Sequence, residues 1–289
     1  MHPDLATVPP EPVDARPSIM SPLWALAVAG FRRYSTYRQA TVAACVTNSV
    51  FGFLRSFVFL ATIAGATAAT GVANAAGYTA EQLLTFCWVT QGLIGVVALW
   101  GWTDLGDRIR TGDVVADLLR PLNPVLSYLA IDLGRAGFAV LIRFVVPVAV
   151  GALFFDLYVP RHLATYPLFA VSMILGVVVC FGCRFLLNAV GYWLLDLRGV
   201  IAAWFVVTGL FVGLTFPLPF LPDWAEATLW IATPFPSIMQ GPLDILVERG
   251  GQAHQGLILL AQSLWSVVLL LSCAYVQQRA ERKLVIQGG

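Results

Sequence analysis

Charged side chains gather in one place in this chain. Between positions 103 and 124 it reads TDLGDRIRTGDVVADLLRPLNP, carrying Asp104, Asp107, Arg108, Arg110, Asp113, Asp117 and Arg120. The chemistry such a pattern supports is recognition rather than bond breaking. Asp104 and Arg108 stand four apart, Asp107 and Arg110 three apart. Each acid comes first, the order that pairs charges along a helix surface. Gly112 breaks that helix. Asp113 is placed to cap a second one over 114–119, which Pro121 stops. Val114, Val115, Leu118 and Leu119 give the second helix an apolar edge. Two readings fit: a docking surface whose charges set the register of a soluble partner, or a solvated loop whose edge packs on itself.

A second set of polar residues lies inside apolar runs, where a charge at the bilayer centre costs about 2.5–3.5 kcal/mol or more. Asn48, Gly52 and Arg55 share one helical face, and Arg55 has no acid nearby in sequence. Arg143 stands four residues before Pro147. Arg184 and Asn188 are one turn apart. Asp132 and Arg135, three apart, can pair. Such residues either line a polar pathway or protomer interface, or they form intramembrane salt bridges and snorkel. Asp132 with Arg135 fits the salt bridge and Arg55 the pathway; Arg143 and Arg184 fit both. Asn48, Arg55, Arg143, Arg184 and Asn188 therefore form the candidate pathway set.

Nothing points to catalysis. The chain has no GxxxxGK[ST] phosphate loop, so it does not bind ATP in that way, and it lacks GxSxG and HExxH. No catalytic, cofactor or metal site is expected. Cys180 and Cys183 have CxxC spacing, but no second pair or neighbouring His completes a zinc site. The five cysteines all fall in apolar runs and read as packing residues.

The elements that must carry these residues are membrane helices. Hydrophobic residues make up 58% and charged residues 11%, against about 25% charged in soluble domains; mean hydropathy is +0.79. The formal net charge of +1 offers no field for nucleic acid, and no nucleic-acid partner is expected. A span needs about 20 apolar residues. Six stretches qualify, at about 41–69, 83–102, 125–155, 166–195, 200–220 and 256–277. Residues 1–17, rich in proline and mixed in charge, read as a disordered tail; 18–289 form the membrane domain. Ahead of the first span, 18–37 fit an amphipathic helix in the interface or an extension of that span. With the N-terminus inside, eleven basic residues face the cytoplasm and two, Arg161 and Arg249, face outward. Both termini are thus expected inside. Between the fifth and sixth spans, 217–255 predicts two short outer helices. Trp224 and Trp230 anchor the first, which Asp223 caps. Phe235 lies in the break, and the second runs over 237–247. Both are expected to lie at, or dip into, the outer interface.

This pattern resembles the ABC-2 type membrane subunits of bacterial ATP-binding cassette transporters. Two local motifs carry the likeness. One is Ile109-Arg110-Thr111-Gly112-Asp113, running on to Leu118-Leu119-Arg120-Pro121. The other is Phe216-Pro217-Leu218-Pro219-Phe220-Leu221-Pro222, continuing to Thr233-Pro234-Phe235-Pro236 and Gln240-Gly241-Pro242. The resemblance implies an all-α permease in the bacterial plasma membrane, paired with a second like or unlike permease. Two copies of a separate ATPase would bind ATP and Mg. Residues 104–120, with Asp104, Asp107, Arg108, Arg110, Asp113 and Asp117, would form or flank the coupling helix that the ATPase pushes. The implied cargo is a drug-like or lipidic amphiphile moving outward. Two other classes are carried alongside. An ion-coupled secondary transporter needs membrane-embedded acids, which are few here; a non-transporting scaffold or immunity protein needs none of these features.

Overall fold

The structure, a computed structural model, describes residues 20–101, 104–194 and 196–287. The tail expected over 1–17 lies outside them. Among the described residues every regular element is a helix. Helix α1 (Met20–Thr36) turns at Tyr37 into α2 (Arg38–Thr70). Helix α3 (Ala80–Val97) starts three residues before its apolar run, because Thr79 and Gln82 form a reciprocal capping box. A polar hairpin of α4 (Asp104–Thr111) and α5 (Val114–Leu118) follows. Next come α6 (Pro124–Ala139), a π-helical turn (Val140–Phe144) and α7 (Val145–Phe154). The widened turn has a local cause. Pro147 cannot donate to the carbonyl of Arg143 and its ring crowds that oxygen. Helix α8 (Thr165–Ala189) ends in a 3-10 turn, and α9 spans Arg198–Phe211. Helices α10 (Asp223–Ala232), α11 (Gln240–Leu246) and α12 (Gly251–Gln287) complete the chain.

Five helical stretches are long and apolar enough to cross a membrane: Arg38–Thr70, Ala80–Val97, Pro124–Phe154, Thr165–Tyr192 and Gly251–Arg282. The fifth predicted stretch, about 200–220, holds a helix of only 14 residues, α9. At 1.5 Å per residue that is about 21 Å, against a hydrocarbon core of about 30 Å. Gly213 is left-handed (φ 85°), and Pro217, Pro219 and Pro222 prevent the helix from resuming. Helix α3 is the most enclosed of the long helices, while α2 and α12 turn Phe57, Val58, Leu264 and Leu271 outward. An apolar outer surface around a packed interior is what a lipid solvent requires. This is a multi-pass membrane protein.

One expectation for 217–255 changes. Pro222, not Asp223, takes the cap position of α10, and no side chain caps that end. Helix α11 is enclosed by the protein: Gln240–Ile245 are all buried. Its polar residues explain why. Gln240 donates to the Tyr78 hydroxyl at 3.0 Å and to Asp244 at 2.9 Å, and accepts from the amide of Leu218 at 3.0 Å. Tyr78 also donates to Asp244. Gln262 of α12 donates to the Ser237 carbonyl at 2.9 Å and accepts from Ser172 of α8 at 2.8 Å. A helix whose amides and acid are satisfied from inside is held inside.

Candidate functional site

The α4–α5 hairpin is fastened to the helices behind it at four points. Leu105 and Val114 are buried, against a cluster that includes Phe181, Phe185 and Cys273. The amide of Gly106 donates to Asn188 Oδ1 of α8 at 3.1 Å. A Cβ on Gly106 would lie 2.8 Å from Leu197 Cδ1 and 3.0 Å from that same Oδ1, so only glycine lets α4 sit this close. Asp117 Oδ2 accepts from Arg108 Nε and from the Tyr128 hydroxyl of α6, both at 2.7 Å. Arg108 also donates to the Asp113 carbonyl at 3.1 Å, closing the hairpin on itself. Arg33 of α1 reaches Asp104 at 3.0 Å. Partial burial works against the Arg108 charge, but the hydrogen bond and charge of Asp117 outweigh it and raise its pKa.

These contacts revise the charge pairing read from spacing. Asp107 and Arg110 do meet, at 3.5 Å and well exposed. Asp104 and Arg108 do not: tertiary partners outcompete the i,i+4 pairing, because Arg33 and Asp117 offer fixed positions at short range. Asp113 sits at the cap position of α5 but makes no capping bond. Its carboxylate accepts from Thr111 at 2.8 Å instead. Gly112 adopts φ 84°, the left-handed turn on which the two short helices pivot. Facing away from the membrane helices are Asp107, Arg110, Val115 and Leu119, with Leu119 82% exposed. The apolar edge is therefore divided: Val114 packs inward, while Val115 and Leu119 stay outside.

The pathway candidates take separate places. Asn48 donates to the Gln91 carbonyl of α3 at 2.8 Å. Arg55 reaches across to the unwound chain after α9. It donates to the carbonyls of Leu214 and, at 2.7 Å, Thr215, and lies over the Phe59 ring. Arg143 sits in the π turn with its Nε buried and no ion-pair partner among the described residues. Arg184 pairs with Asp132 at 2.7 Å, and Arg135 pairs with the same carboxylate at 2.7 Å. Arg135 also donates to the carbonyls of Gly95 and Val96, both at 2.8 Å, at the end of α3. This buried triad ties α3, α6 and α8 together just behind the hairpin. Asn188 is one turn further along α8 and belongs with the hairpin. Trp224 is exposed, Trp230 half-buried, and Phe235 packs on Trp204.

Spacing alone did not single out Glu248, which carries an unusual load at the opposite end. It accepts from Tyr158 (2.7 Å), Thr165 (2.6 Å) and the amides of Arg161 (2.9 Å) and His162 (3.0 Å). Desolvation would raise its pKa, but these four donors hold it well below the usual carboxylate range. Glu248 also takes a left-handed backbone (φ 55°). Its only sequence cue was a lone acid beside Gly250 and Gly251 in a loop.

The described residues thus form a bundle of apolar helices with a braced polar hairpin, α4–α5, at one end. The family described as ABC-2 family transporter protein has a model that matches residues 54–288. The chain belongs to that family. No curated protein and no solved structure matches it.

Proposed function

We propose that this chain is the permease subunit of an ATP-driven exporter in a bacterial plasma membrane. ATP and Mg would be bound by two copies of a separate ATPase, and a second permease, like or unlike, would complete the translocation unit. In this reading the N- and C-termini and the α4–α5 hairpin are cytoplasmic, and α9 with its unwound continuation serves as the fifth of six spans.

The hairpin carries the reading. It is too short to fold alone, and isolated helices below ~12–15 residues are marginal. Yet it is braced by Asn188, Tyr128 and Arg33 to α8, α6 and α1. Its outer face keeps Val115, Leu119, Asp107 and Arg110 accessible. That is the form of a lever: a rigid contact surface outside, fixed joints inside. A push by the ATPase would pass through the three joints into three helices at once. Arg55, holding the carbonyls of the unwound segment, supports a role for α2 and α9 at the pathway, since their relative movement must break or carry those bonds. By the resemblance, the cargo would be a drug-like or lipidic amphiphile.

The test is capture and transport. Full-length chain solubilised in mild detergent from its own cells should retain an ATPase subunit, and proteoliposomes holding both should accumulate substrate only with ATP. Full transport by the chain purified without any ATPase would refute the proposal.

A further inference from the structure

Helices α1 and α6 cross in very close contact. Gly30 lies against the backbone of Ile131, and Gly134 against that of Ala27. The two contacts run in opposite order along the helices, so α1 lies antiparallel to the start of α6. On one flank of this pair the helices leave a groove of about 720 Å³. Its walls are apolar, built from Leu23, Trp24 and Val28 on α1 and from Leu126, Leu129 and Leu133 on α6. Trp24 is 72% exposed. One basic side chain borders the groove, Arg32, at the end marked by Leu126. Arg32 is exposed and forms no ion pair among the described residues, whereas its neighbour Arg33 is committed to Asp104.

The depth of the groove follows from its neighbours. Arg135, on the turn of α6 beside it, holds the last carbonyls of α3. The groove therefore straddles the level at which α3 ends. The Leu126 and Arg32 end points toward the polar hairpin, and the Trp24 and Gly137 end points away from it along α6. A cation at the aqueous end of an apolar slot, with a tryptophan along its wall, matches the two halves of one kind of molecule. We propose that this groove binds an anionic glycerophospholipid, with its phosphate on Arg32 and one acyl chain laid along Trp24 toward Gly137. Assigning that lipid to the cytoplasmic leaflet rests on the orientation proposed above; the binding itself does not.

Recognition is electrostatic at the head and apolar along the chain. The chain supplies affinity for any phospholipid, and Arg32 supplies the preference for negative charge. One basic residue near an anionic headgroup is worth about a five-fold preference. Arg33 and Arg38 lie close in sequence, but the first is already paired.

The test uses tryptophan quenching by lipids brominated on their acyl chains. Full-length protein is placed in nanodiscs of phosphatidylcholine doped with brominated phosphatidylglycerol or, separately, brominated phosphatidylcholine. The Trp24 signal is the difference between wild type and Trp24→Phe. The expected result is half-maximal Trp24 quenching at about five-fold lower phosphatidylglycerol than phosphatidylcholine. Arg32→Gln, at an exposed position, should bring the two curves together while leaving quenching itself in place. Equal curves in wild type would make the groove ordinary lipid-facing surface and overturn the proposal. So would an unchanged preference in Arg32→Gln. Quenching by neither lipid, restored by removing residues 1–19, would assign the groove to that segment instead. Because nanodiscs present both leaflets alike, a wrong orientation cannot produce any of these failures, and no ATPase is involved.

Discussion

Replacing Asp117 by Asn keeps the shape of the hairpin and removes the charge at its joint. Asp117 Oδ2 accepts from Arg108 and from Tyr128, both at 2.7 Å. Hydrogen bonds to a charged group contribute about 1.5–3 kcal/mol, and neutral ones about 0.5–1.5 kcal/mol. Neutralising Asp117 should therefore lose roughly 1–1.5 kcal/mol for each of two bonds. Arg108 is partly exposed and screened by water, which trims the total to about 2 kcal/mol. That is about a 30-fold rise in local opening. Amide hydrogen exchange across 104–120 reads it directly. The amides of Val115 and Leu119, bonded to the Gly112 and Val115 carbonyls, should lose about 30-fold protection. Asp107→Asn, at the exposed pair with Arg110, should change protection by less than about three-fold. Equal exchange in wild type and Asp117→Asn would show that the clamp does not hold the hairpin, and the lever argument would lose its inner joint.

Other outcomes follow from the same structure. Glu248 has a folded pKa below its unfolded value of about 4.3, so its contribution to stability is complete above that value and lost progressively as pH falls from there through the folded pKa. Thermal melts in detergent should show wild type losing stability from about pH 5 downward, with the loss still under way at about pH 3. Glu248→Gln should melt lower at neutral pH and fall less over the same window; parallel curves would contradict the four-donor account. Gly30→Val puts a side chain into the backbone of Ile131 and should cost about 1–3 kcal/mol. Freed from α6, α1 should become a site of rapid proteolysis, whereas an undisturbed digest would argue against the close crossing. Arg55→Met removes the donors to the Leu214 and Thr215 carbonyls. Exchange across 212–216 should rise and transport should fall by at least about ten-fold, since the carbonyl of buried Leu214, left without its donor, costs about 1–3 kcal/mol. Unchanged transport at normal expression would remove Arg55 from the pathway.

The long helices were legible because hydropathy reports solvent, and lipid is an uncompromising one. Helix α3 could be shifted only by its capping box, a local signal readable at Thr79 and Gln82. The hairpin was legible as two helices broken at Gly112, because that break is local too. Its pairing was not. Arg108 had a suitable acid at Asp104, and nothing local says that Asp117 and Tyr128 would claim it. The same limit hid the triad. Asp132 with Arg135 is an i,i+3 pair, while Arg184 arrives from a helix 52 residues away. The burial of α11 was hidden for a related reason. Seven residues of mixed polarity give no sign that Tyr78 and Leu218 will satisfy Gln240 and Asp244 from inside. The proline run after α9 was visible, but hydropathy windows count Pro217 and Leu218 as apolar length rather than as the end of a helix.

The central claim is that the exposed face of the α4–α5 hairpin receives motion from an ATPase. Arg110→Glu with Leu119→Asp changes only exposed side chains and leaves Asn188, Asp117 and Tyr128 in place. In proteoliposomes holding the complete complex, ATP-dependent accumulation of substrate should fall more than about ten-fold, with normal protein levels and unchanged exchange in α8. Transport that continues at the wild-type rate in this double variant would contradict the account.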